Sequence, residues 1–180
     1  TRIWQDVDHD RCGVVPHLMD PDFGFARYAE NVLTKPQITA WRTGRVKAVG
    51  SKTAPELYAA HLSQREAAQI LSNFFYDVRL KSRIELRAAD SMPPRYIAAY
   101  AQLVKSVFGS PAALQNVLRH YAGITTLDIT TAKLAVCKDG FNALAYGKPI
   151  SSELTWLLMQ ARSRTPSQEE RALLDPFMAL

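Results

Sequence analysis

Between Arg79 and Arg87 every second residue is ionic: Arg79, Lys81, Arg83, Glu85 and Arg87 alternate with Leu80, Ser82, Ile84 and Leu86. Successive side chains of an extended chain point to opposite faces, whereas a helix brings together residues three or four apart. The alternation therefore predicts a β-strand over 79–87, with an apolar face packed on helices and an ionic face of four cations around one carboxylate. Same-face neighbours stand about 6–7 Å apart, a spacing at which Glu85 and Arg87 reach one bound polyphosphate and its metal. A magnesium ion takes one or two carboxylates together with phosphate oxygens and water, and a guanidinium offers planar paired donors to the remaining phosphate charge. Phosphoryl transfer asks little more of a protein than positioning and charge stabilisation. Two other readings of this face stay open. One is a solvated edge strand, where Lys and Arg discourage edge pairing. The other is a nucleic-acid platform, although such platforms interleave stacking aromatics that this face lacks.

The elements that must hold such a strand follow from local pattern. Residues 1–22 are rich in Asp, His, Pro and Gly without sustained period and read as a long ordered loop. Residues 23–33 have a helical apolar pattern, and 37–49 read as two short strands around a Thr43-Gly44 turn whose glycine supplies positive φ. A short helix near 54–61 precedes a Ser63/Glu66 capping box, which opens a helix to about Phe75. Pro93 and Pro94 start an amphipathic helix to Phe108, ended by Gly109. Helices are then expected over 111–121, 130–146 and 152–162, with a last capping box at Ser167/Glu170, which makes the second half entirely helical. The sum is an α+β fold with few antiparallel strands in the first half, read as a single unit over 1–180. Two or three strands alone leave open edges, and the chain starts with Thr1 rather than Met inside a site-like loop; both features suggest a piece of something longer.

Composition narrows the class. The 180 residues are 47% apolar and 22% charged, ordinary for a globular protein, and the net charge of +5 is modest and scattered outside 79–87. No apolar run approaches the roughly 20 residues of a membrane span, and the first residues carry no signal-peptide core, so a cytoplasmic protein is expected. Cys12 and Cys137 form no CxxC or Cys/His cluster and read as reduced thiols, one of them in a helix core; Cys12, in the polar loop, is the more open to reaction. Asp6, Asp8 and Asp10 suit turns and caps better than calcium, since no glycine stands at the sixth loop place and no glutamate closes the loop. His9, His17, His61 and His120 are scattered, and each reads as a surface or satisfied polar residue. Trp41, Trp156 and the Phe74-Phe75 pair read as core.

Three blocks, IWQDVDHDRCGVVP with FGFARYAENVL at 3–33, VRLKSRIELRAADSMPP at 78–94 and LAVCKDGFNAL at 134–144, resemble the C-terminal half of glutamate-cysteine ligases of the plant and bacterial branch. The resemblance implies a glutamine synthetase-like carboxylate-amine ligase fold, an antiparallel funnel with helices outside, of which this chain is the C-terminal part of one catalytic domain. It implies that ATP phosphorylates the γ-carboxylate of L-glutamate and that the amine of L-cysteine attacks the acyl phosphate, with Mg2+ as cofactor. On the matching positions, Glu85 is implied as a metal ligand, Arg87 as the catalytic contact to the transferring phosphate, and Arg79, Lys81 and Arg83 as nucleotide-side cations. Arg2, Trp4 and Arg11 of the first block are implied to bind substrate. The family's N-terminal half, with a Glu-x-Glu segment and most of its magnesium ligands, has no counterpart in these residues, so the chain alone is expected to be inactive. The alternatives are a related ligase with another amine acceptor, the ligase half of a bifunctional enzyme, and a noncatalytic module whose basic strand meets an acidic partner; neither nucleic acid nor a membrane is expected as a partner.

Overall fold

The structure is a computed structural model that describes residues 6–58 and 61–180. It divides into two compact units, Thr1–Ala89 and Asp90–Leu180.

In the first unit, β1 (Cys12–Gly13) leads to helix α1 (Phe25–Leu33), the hairpin β2 (Thr39–Arg42) and β3 (Arg45–Ala48), the short helix α2 (Ala54–Leu57) and helix α3 (Gln64–Ser72). Three short strands follow, β4 (Phe75–Tyr76), β5 (Val78–Leu80) and β6 (Ile84–Leu86). The Ser63/Glu66 box forms as expected: Ser63 N–H donates to Glu66 Oε2 at 2.8 Å and Glu66 N–H to Ser63 Oγ at 3.3 Å. Helix α2 is shorter than expected and α3 ends at Ser72, because Asn73 closes it and turns the chain into β4. The core gathers Val15, Tyr28, Val32, Ile70, Phe74 and Tyr76. Each large apolar side chain buried there contributes about 1.5–3 kcal/mol.

One buried amide ties these elements together. Asn73 Nδ2 donates to Gln37 Oε1, Thr39 O and Gln69 O at 3.1, 2.9 and 3.1 Å, while Asn73 Oδ1 accepts from Thr39 N–H at 3.0 Å. Gln37, also buried, donates to the Val32 and Lys35 carbonyls and thereby satisfies the C-terminal end of α1.

The expected strand over 79–87 is instead a hairpin. β5 and β6 are antiparallel with Val78 opposite Leu86, Arg79 opposite Glu85 and Leu80 opposite Ile84, and Lys81, Ser82 and Arg83 make the turn. β1 runs parallel to β4, Cys12 opposite Phe75, and the first unit's pairs stay two-stranded. Cys12 is therefore buried in a strand and not in an open loop, whereas Cys137 is exposed on its helix, the reverse of the expectation. Burial pushes the Cys12 thiol up, away from the reactive thiolate.

The second unit comprises α4 (Pro94–Phe108), α5 (Pro111–His120), α6 (Thr126–Asp139), the hairpin β7 (Leu144–Ala145) and β8 (Lys148–Pro149), α7 (Ile150–Ser163), α8 (Gln168–Ala172) and α9 (Asp175–Met178). It is not entirely helical. The helix expected over 130–146 starts earlier, at a Thr125/Asp128 capping box, and stops at Gly140, whose φ of 58° ends it. A 3-10 turn and a hairpin with Tyr146 and Gly147 at positive φ take its place. Gly109 ends α4 for a steric reason: a Cβ there would stand 2.4 Å from the Lys105 carbonyl oxygen. Leu103, Val107, Leu158, Ala161 and Leu174 form the core, beside a polar tether in which Ser106 and Thr165 hydroxyls meet at 2.9 Å.

Glu153 is the buried carboxylate of this unit, 2.8 Å from His120 Nε2 and 3.4 Å from Lys148 Nζ. His120 stacks on Trp156 with ring centroids 3.6 Å apart, so both side chains are satisfied structural residues. Burial alone would raise the Glu153 carboxyl, but hydrogen bonds and charge from His120 and Lys148 outweigh it and hold it below the usual range. A depressed carboxyl contributes stability that is complete above its unfolded pKa of about 4.3 and is lost as pH falls through the folded value. The helical signal is accordingly expected to become unstable below about pH 4, and Glu153→Gln to flatten that limb of an acid titration followed by circular dichroism. In the first unit, Asn73→Ala leaves Gln37 Oε1 and Thr39 N–H buried without this partner and is expected to cost about 3 kcal/mol in urea unfolding.

Candidate active site

The ionic face survives the change from strand to hairpin for a simple reason. Paired residues in β5 and β6 have numbers that add to an even total, so odd-numbered residues oppose odd-numbered ones and stay on one side of the sheet. Six residues of extended chain would separate Arg79 from Glu85 by about 20 Å. The turn makes them directly opposite.

Arg79 is the buried member. Its Nη1 donates to the Phe74 carbonyl at 3.0 Å, and its Nε and Nη2 reach Glu85 Oε2 at 2.8 and 2.6 Å. A guanidinium is suited to this fork because its donors are planar and fixed. Glu85 also has Lys81 Nζ 3.8 Å from Oε1 and Arg87 Nη1 3.9 Å from Oε2. The hydrogen bond from Arg79, joined by the charges of Arg79, Lys81 and Arg87, outweighs burial and holds the Glu85 carboxyl below its usual range. The group is a carboxylate framed by cations that favour its ionised form.

Arg87 is about a third exposed, and its backbone N–H donates to the Asp77 carbonyl at 2.7 Å, which extends the hairpin by one pair. Arg83 lies exposed at the turn, where its carbonyl accepts from Lys81 N–H at 2.9 Å. Phe75 is half-buried and outside the core cluster: its ring centroid lies 5.9 Å from the Arg79 guanidinium and 5.8 Å from that of Arg87, so one aromatic ring neighbours both cations. Asp77 belongs to the same face by parity. Both could have been found by extending the odd-numbered series two steps upstream of Arg79. The Tyr28 hydroxyl accepts from Leu80 N–H at 3.1 Å and fastens the hairpin to α1.

The loop residues are placed differently. Arg11 pairs with Asp8 and donates to the Pro36 carbonyl at 2.7 Å, while Asp8 Oδ1 accepts from the backbone of Asp10 and Arg11, the turn-forming role expected of it. Arg2 and Trp4 lie outside the described residues. On the other side of the hairpin, Val78, Leu80 and Ile84 join Val15, Phe23 and Phe25 in lining an apolar cleft of about 210 Å³.

The donor set decides what this face can hold. Among the described residues no cluster of three or more His, Cys, Asp or Glu side chains is shaped for a metal. Glu85 offers a metal a single carboxylate, with Oε2 taken by Arg79 and Lys81 Nζ 3.8 Å from Oε1, so these residues would hold a metal only as one ligand of a larger set. Among the described residues no helix is long and apolar enough to cross a membrane.

Residues 1–170 match the glutamate-cysteine ligase family 2 (GCS2). The chain is 30% identical over 126 residues to a chloroplastic glutamate–cysteine ligase of Brassica juncea, a match that covers 66% of this chain and 24% of the relative. It is 29% identical over 126 residues to the chloroplastic enzymes of Arabidopsis thaliana and Medicago truncatula, covering 66% of this chain and 24% and 25% of those proteins. The chain thus spans about a quarter of the length of the curated relatives it matches. With its ionic hairpin inside the matched range, the chain belongs to the glutamate-cysteine ligase family.

Proposed function

We propose that this chain supplies part of the nucleotide and metal side of an ATP-dependent ligase that joins L-glutamate to L-cysteine, within a glutamine synthetase-like carboxylate-amine ligase fold. The carrying observation is the Arg79–Glu85 pair, which keeps a carboxylate ionised and immobile beside Arg87. In the reaction a γ-carboxylate oxygen of glutamate attacks the terminal phosphorus of ATP and ADP leaves; the cysteine amine then attacks the acyl carbon and expels phosphate. Mg2+ supplies charge neutralisation on the phosphate oxygens when bound. Glu85 offers Oε1 to it, and Arg87 offsets charge on the transferring phosphoryl oxygens. Lys81 and Arg83 extend the cationic side toward the nucleotide, while Arg79 positions Glu85 instead of meeting ligand. The relatives are about four times as long as the matched segment, and in this reading the other metal ligands belong to that further length.

Purified protein containing this chain is expected to release ADP from ATP only when both L-glutamate and L-cysteine are present. ADP release with another amine in place of cysteine would assign a different acceptor. Arg87→Ala is expected to lower the rate at least about 100-fold with the far-ultraviolet circular dichroism unchanged, and Glu85→Gln to lower it as far while also costing stability, because it leaves the buried Arg79 without its charged partner. Wild-type turnover in either variant would reject the assignment.

A further inference from the structure

The hairpin of β2 and β3 breaks local rules that its own packing does not require. Thr43 lies at φ 49°, a left-handed backbone that a β-branched residue rarely adopts, although the two-residue turn needs it at both Thr43 and Gly44. Arg42 stands directly opposite Arg45, and like charges so placed repel. The register also puts Lys47 opposite Ala40, on the same face as both arginines. Such violations concentrate at functional sites.

Part of that face, without Arg45, borders a cleft of about 420 Å³, within the size range of small-ligand sites. Arg42, Thr43, Lys47 and Lys52 line it, with Val49 and Leu57 as apolar floor, and its described lining carries no carboxylate. The Arg42 guanidinium is anchored by donating to the Leu57 carbonyl. Glu56 Oε2 accepts from Thr53 and Glu66 Oε2 from Ser63 within their capping boxes, and their charges reach Lys52 and Arg42 respectively without lining the cleft. Cations on a solvated edge would discourage strand pairing without a strained threonine or a shared concavity.

We propose that this cleft binds a multiply charged phosphate anion, whether a free polyphosphate or the tail of a nucleotide. Its charge would offset the Arg42–Arg45 repulsion, and the site is independent of the ligase reading and of the Glu85 cluster. Calorimetric titration of the full chain at low salt is expected to show binding of inorganic tripolyphosphate that weakens as salt is added. Lys47→Gln/Lys52→Gln is expected to weaken it about tenfold or more, with unchanged circular dichroism, and the Lys→Arg pair to retain it. Equal affinity for ATP and tripolyphosphate identifies the phosphates alone as the ligand; tighter ATP binding adds a seat for the nucleoside on the apolar floor. The proposal is overturned by unchanged affinity in the Gln pair, by loss of binding in Arg87→Ala in its place, or by no binding of tripolyphosphate at about 1 mM.

Discussion

The first unit is organised around a guanidinium that has been taken out of water. Arg79 cannot lose its proton, so its burial is tolerable only with a charged partner and with its remaining donors satisfied. Glu85 provides the charge and the Phe74 carbonyl takes a further donor. Phe74 is itself fully buried, so the position of the ion pair is dictated by the hydrophobic core rather than by the turn that carries Lys81 and Arg83. Breaking one side of such a pair leaves an uncompensated charge, which makes the hairpin register hard to shift.

This arrangement separates support from chemistry. The buried guanidinium holds the carboxylate, the Tyr28 hydroxyl holds the strand, and the more exposed Arg87 and Lys81 are left where an anionic ligand can meet them. The opposite side of the same hairpin is apolar, and the two-residue period of the backbone makes both faces possible at once. The second unit is tied by similar means: Glu153 draws together His120 on α5 and Lys148 on β8, much as Asn73 joins the end of α3 to β2 in the first.

Several local signals match the structure, although the Thr125/Asp128 capping box, equally local, starts its helix ahead of the expected position. The Ser63/Glu66 box, the amphipathic helix after Pro93 and Pro94, and the Thr43-Gly44 turn depend on neighbours within four residues, and each appears near its expected place. The errors arose where apolar periodicity ran past a turn. Leu144, Ala145 and Tyr146 continue a helical pattern, yet Gly140 stops α6 and the Tyr146-Gly147 pair folds the chain back. Phe75 was mistaken for core because an aromatic residue beside Phe74 gives no local sign of the guanidiniums that flank it. Cys12 was mistaken for a loop residue because its strand exists only through pairing with β4, sixty-three positions along the chain.

The ionic series 79–87 shows the division between the two sources of information. Alternation alone determined that Arg79, Glu85 and Arg87 share a face and that apolar residues take the other, since side-chain direction in extended backbone is a local property, whereas Lys81 and Arg83 fall in the turn. It could not distinguish a long strand from a hairpin, because a turn that preserves parity leaves both faces unchanged. Tertiary structure decided that Arg79 faces Glu85 across the sheet, that Arg79 is the buried partner and that the Phe75 ring neighbours both Arg79 and Arg87. Those outcomes depend on which backbone pairs with which and on what the Phe74 carbonyl can accept, and neither is encoded within the span of a few residues.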